Sequence, residues 1–117
     1  MAECDIARAL LSAVELTRIV HVHAIFGPSC ILSARAVGIF GGSLDLPIIL
    51  WGMTTSIEFK DDSRYPTTVS AVGNSEHLAI AMNYVVEEYG WTNLATIFGD
   101  DELAKCLTLL TDMEVSC

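Results

Sequence analysis

The sequence predicts an α/β protein, a parallel-sheet three-layer sandwich in which short apolar strands alternate with helices. Three observations point there. Apolar residues recur at helical spacing in separate stretches, short aliphatic runs lie between those stretches, and glycines, prolines and polar turns stand at the joints. Alternation of this kind calls for a parallel sheet with right-handed crossovers that place helices over its faces. At 117 residues and 52% hydrophobic content the chain fits one domain with a core to bury, which argues against disorder.

The elements follow in order. From Asp5 to Thr17, residues Ile6, Ala9, Leu10, Ala13, Val14 and Leu16 recur at three- and four-residue steps, with Asp5 placed to cap an amphipathic helix. Ile19 to Phe26 reads as a strand buried on both faces, stopped at Gly27 and Pro28. Ser29 and Cys30 open a second helix that passes Ala34 and Val37 and ends at Gly41 and Gly42, and Leu46 to Trp51 is the next strand. Gly52 to Arg64 is polar and turn-rich, and Tyr65 to Val72 is extended, since Pro66 disfavours helix in the residue before it. Ser75 caps a helix with Leu78, Ala79, Met82, Val85, Val86 and Tyr89 on its apolar side, closed by Gly90. Leu94 to Phe98 is a strand, and Asp100 and Asp101 start a last helix with Leu103, Leu107 and Leu110 on one side.

Composition bounds the function. Six Lys and Arg stand against 15 Asp and Glu, a formal charge of −9, so the average field repels a nucleic acid or an anionic membrane and suits a cationic partner better. Four cysteines, Cys4, Cys30, Cys106 and Cys117, have no two-residue spacing, and His21 and His23 form the sole histidine cluster, so neither a zinc ribbon nor a thioredoxin-type dithiol is encoded. Arg8, Glu15 and Arg18 interrupt the first apolar stretch too often for a signal-peptide core, and no uninterrupted apolar run reaches the roughly 18 residues of a membrane span. In open parallel sheets ligands bind beyond the carboxyl ends of the strands. Gly27 to Cys30 and Gly52 to Ser56 are the two loops that meet this rule.

One series of residues carries a family resemblance: Phe26-Gly27-Pro28-Ser29-Cys30, Leu46-Pro47-Ile48-Ile49-Leu50-Trp51-Gly52, Glu58-Phe59 with Asp61, Arg64-Tyr65-Pro66-Thr67-Thr68, and Gly90-Trp91 before Phe98. In order and spacing it resembles the receptor-family ligand-binding region of receptor guanylyl cyclases and natriuretic peptide receptors. The resemblance implies a partial two-lobed, periplasmic-binding-protein-like fold, with residues 1–74 the later part of lobe I and residues 75–117 the start of lobe II. Part of lobe I then lies outside the chain, which leaves one face of the sheet unprotected. The resemblance also implies that Cys30 pairs with Cys4, and that Cys106 matches a second-lobe cysteine whose partner lies further along, with Cys117 as a substitute. Gly41-Gly42-Ser43 departs from the family pattern and is expected to fray the second helix by about 1 kcal/mol per glycine.

The site residues come from both readings. Gly27 to Cys30 offers backbone N–H groups at a helix start, an anion site in principle, and the resemblance implies a chloride ion at Ser29 and Cys30; the plainer role for Ser29 is a helix cap. Thr54, Thr55 and Ser56 resemble the hydroxyl-bearing loop that small-ligand relatives use for a carboxylate, with Gly52 a ligand-site candidate at the start of that loop, against the plainer role of a solvated turn. His21 and His23 lack a third ligand, so no metal site is assigned, and Cys30 lacks a base, so no catalytic residue is assigned. Trp51, Trp91, Tyr65 and Phe59 are read as core or inter-lobe packing.

These readings converge on a binding module without an enzyme activity or cofactor of its own: part of the extracellular domain of a single-pass, homodimeric receptor guanylate cyclase that binds a peptide or small molecule. A chain without export signal or membrane span would then be a fragment. One rival is a soluble amino-acid-binding or decoy protein of the same fold. The other is a small nucleotide-handling α/β enzyme, which the absence of a glycine-rich phosphate loop after any predicted strand disfavours.

Overall fold

A computed structural model describes residues 4–97, 99, 111 and 112 of the chain. Its elements are α1 (Ile6–Glu15), β1 (Ile25–Phe26), α2 (Ile31–Ser43), β2 (Ile48–Leu50), β3 (Thr68–Ser70) and α3 (Ser75–Glu88), with a 3₁₀ turn at Ile57–Lys60. The three strands form one parallel sheet in the order β1-β2-β3. The α/β class and the parallel sheet are therefore as expected.

Register explains where the core sits. Ile25 pairs with Ile48 and Ile48 with Thr68, so these residues share one face, and Leu50 returns to it two positions later. That face packs on α1 and α2, and Ile48, Leu50, Ala34 and Val37 are buried there together with Ala13, Leu46, Phe59 and Tyr65. Phe26, Ile49 and Val69 align on the other face. Phe26 is 75% and Val69 63% exposed, so this face stands open among the described residues.

The helix α1 begins where Asp5 accepts the N–H of Arg8, at 3.1 Å, but the predicted strand after it is wrong in most of its length. Leu16–Val20 continues as a π-helical turn, and His21 then takes a left-handed conformation, φ 56°. Thr17 donates its hydroxyl to the carbonyl of Ala13 at 2.7 Å, a helical contact, so the branched residues Ile19 and Val20 extend α1 and face solvent. Only Ile25 and Phe26 form a strand, and Phe26 is not buried on both faces.

A second correction concerns α2, which runs through Gly41 and Gly42 to Ser43. Gly41 is buried against β2, where a Cβ would overlap the Ile48 side chain and lie 3.0 Å from the Leu46 carbonyl oxygen. The absence of a side chain lets helix and strand approach, and the glycine acts as a contact surface rather than a terminator. In α3 the cap is Asn74, whose side chain accepts the N–H of His77 at 3.2 Å, and Ser75 is the first helical residue. Leu94 to Ile97 form no strand; Phe98, the predicted last helix from Asp100 to Leu110, Cys106 and Cys117 lie outside the described residues.

Candidate ligand-binding loops

The loops beyond β1 and β2 meet at the carboxyl ends of the strands. Gly27 donates its N–H to the carbonyl of Ile49 at 2.8 Å, and Met53 donates to the carbonyl of Ser29 at 3.1 Å. Between them Gly52 adopts φ +78°, and a Cβ there would lie 2.9 Å from that of Ser29. The close seat of Ser29 against Gly52 thus requires glycine on both counts.

Cys30 anchors this corner. It is the residue preceding α2, and its sulfur is bonded to Cys4, with the two Cα atoms 5.3 Å apart. The pairing implied by the resemblance is present: it fastens the start of α1 to the start of α2 across β1. Cys30, not Ser29, holds the cap position of α2, and its side chain makes no capping hydrogen bond.

Within the second loop the two threonines differ. Thr54 is 1% exposed and its hydroxyl is spent on the carbonyl of Trp51 at 3.2 Å, so it shapes the turn from inside. Thr55 is partly exposed, and its carbonyl accepts the N–H of Ser75 at 2.8 Å and lies 3.0 Å from the Ser75 hydroxyl, whose one proton it shares with the carboxylate of Asp112. Ser56 caps the 3₁₀ turn by accepting the N–H of Glu58 at 3.4 Å, and the N–H of Ile57 reaches the carboxylate of Asp112 at 3.1 Å. Ser29, Cys30 and Gly52 are therefore brought together, while Thr54 and Thr55 lie further along the same loop, beside the start of α3.

Polar ties fix the outer wall. Arg35 of α2 donates to Glu58 at 2.6 Å, and the hydroxyl of the buried Tyr65 donates to the other oxygen of that carboxylate at 3.4 Å. Burial, and then the Glu58 charge, push the Tyr65 phenol above its ordinary value of 10.0. Lys60 pairs with Glu76, and that hydrogen bond and charge hold the Glu76 carboxyl below the usual range. A cavity of about 250 Å³ lies between Ser56, Phe59, Lys60, Ser70, Asn74 and His77, at the carboxyl end of β3.

The other sequence candidates scatter. His21 and His23 do not share a strand and both are exposed. Phe59 and Tyr65 do pack in the core, with ring centroids 5.1 Å apart, but Trp51 and Trp91 are about half exposed. Asp112 and Arg35 escaped the sequence reading, and Ser75 was read only as a helix cap, because nothing in their local pattern announces partners 23 to 55 residues away.

The receptor family ligand-binding region matches residues 1–115 of the chain. The chain belongs to that family. Among individual proteins it is 35% identical over 112 residues to receptor-type guanylate cyclase gcy-13 of Caenorhabditis elegans, covering 96% of this chain and 11% of that protein. It is 33% identical over 115 residues to gcy-6 and 31% over 113 residues to gcy-20, receptor-type guanylate cyclases of the same organism, covering 96% of this chain and 10% of each. The chain spans about a tenth of the length of the curated relatives it matches.

Among the described residues no helix is long and apolar enough to cross a membrane.

Proposed function

We propose that this chain is part of the extracellular ligand-binding domain of a receptor guanylate cyclase, which senses a peptide or small molecule and signals through a rearranged dimer to a cyclase domain elsewhere in a single-pass membrane parent. Residues 1–74 belong to lobe I of that domain and residues 75–117 to the start of lobe II. The observation that carries this reading is the match to the ligand-binding region across residues 1–115. The geometry supports it: Ser29, Cys30, Gly52, Thr54 and Thr55 lie on loops beyond the carboxyl ends of parallel strands, where open sheets take ligands. The amino end of α2 beside Ser29 and Cys30 suits a chloride ion, since the helix dipole favours an anion there.

The test is a thermal-shift series on the oxidised protein with peptides, free amino acids and nucleotides. A ligand at a hundred times its Kd adds about 2.7 kcal/mol of stability. A peptide or amino acid is expected to give such a rise, weakened by Thr55→Ala. Stabilisation by nucleotides alone, with turnover, would replace this reading with that of a small enzyme. Chloride is tested in the same way, against sulfate at constant ionic strength, with Ser29→Ala as the variant.

A further inference from the structure

Asp112 is 6% exposed, and its carboxylate lies far in sequence from the groups it binds. It accepts the backbone N–H of Ile57, 55 residues away, at 3.1 Å, and the hydroxyl of Ser75, 37 residues away. A buried carboxylate persists only where donors replace the water it has lost, and these two donors belong to other segments of the chain. Ile57 follows the loop after β2, and Ser75 opens α3 while also donating its N–H to the carbonyl of Thr55 at 2.8 Å. Three segments, 55–57, 75 and 112, therefore meet at one carboxylate.

We infer that Asp112 is a latch, which holds residues 111 and 112 against the loop after β2 and the start of α3. The loop it grips continues directly from Thr54 and Thr55. A rearrangement of that loop at Ile57 breaks its bond to Asp112, so a change beyond β2 is felt at residues 111 and 112. This transmission rests on the proposed ligand role of the loop; the latch itself does not.

Amide hydrogen exchange on the whole chain tests the latch without any ligand, so its failure is distinct from failure of the proposed function. In Asp112→Ala the Ile57 amide is expected to exchange at least about tenfold faster, as expected for the loss of a charge-assisted hydrogen bond. The Ile25 and Ile48 amides, which donate to Pro47 and Thr67 in the sheet, keep their rates. Asp112→Asn, which retains an acceptor of the same shape, gives an intermediate rate at Ile57. An unchanged rate at Ile57 in Asp112→Ala overturns the latch. Should that variant accelerate every amide alike, Asp112→Asn decides: selective acceleration at Ile57 supports the latch, and uniform or absent acceleration overturns it.

Discussion

Residues 4–72 and residues 74–97 both carry amphipathic elements, but the first region encloses large apolar side chains and the second does not. There α1 packs on α2 and α2 on β2, and Ile48, Leu50 and Ala34 are fully enclosed. In α3 only Ser75 and Ala79 are buried, while Leu78, Met82 and Val85 remain 39–47% exposed. Beyond it Tyr89 and Trp91 stack on each other, with ring centroids 5.3 Å apart, yet each is more than half exposed. An apolar stripe at helical spacing shows which face a helix would bury, and does not name the surface that receives it.

Substitutions on the two sides should separate them. The largest contrast is between Ile48→Ala, which empties a fully enclosed site and is expected to cost about 3 kcal/mol, and Leu78→Ala, where a half-exposed side chain is expected to cost less than about 1 kcal/mol. Urea unfolding of the oxidised proteins measures both. Equal costs would mean that α3 is packed as firmly as β2.

Next in size is the Cys4–Cys30 bond, which closes a loop of sequence separation 26. Its removal in Cys4→Ser/Cys30→Ser is expected to lower stability by about 3 kcal/mol in the chain-entropy view, with the loss read at residues 4–72. Non-reducing peptide mapping should recover residues 4 and 30 in one linked product.

Glycine positions give a finer contrast. Gly41→Ala forces a Cβ into Ile48 and is expected to cost about 1–3 kcal/mol, whereas Gly73→Ala meets nothing within 4 Å and is expected to change stability by less than about 1 kcal/mol. Thermal unfolding ranks the two.

The smallest effect is a pH dependence. Tyr65 has its phenol raised in the folded state, so the unfolded chain loses that proton first as pH rises. The contribution is intact below about pH 10 and is lost as pH climbs through the raised folded value. Tyr65→Phe should flatten that alkaline decline, measured as stability against pH from about 8 upward.

Much of the fold was legible because its signals are local. Asp5 as a cap, the aliphatic run around Ile48 to Leu50 and the polar stretch before Arg64 each carry their structure within a few residues. The errors arose where neighbours decide. Ile19 and Val20 have strand composition, yet they follow α1 without a break, and helical hydrogen bonding carries through them into the π turn. Gly41 has the character of a terminator, yet its lack of a side chain is what fits α2 against Ile48. At the candidate site, the loops beyond β1 and β2 followed from strand position alone, and Cys4–Cys30 from the family pattern. The tie from Asp112 to Ile57 and Ser75 was not legible, because it joins segments that only the folded chain brings together.

Native-state hydrogen exchange across the whole oxidised chain tests most directly the claim that residues 4–72 form the braced unit and α3 a looser one. The account predicts slowest exchange at Ile48, at Ala34, which donates to Cys30, and at Ala71, which donates to Leu50, with residues 79–86 of α3 opening at least about tenfold faster. Protection in α3 equal to that in β2 would contradict it.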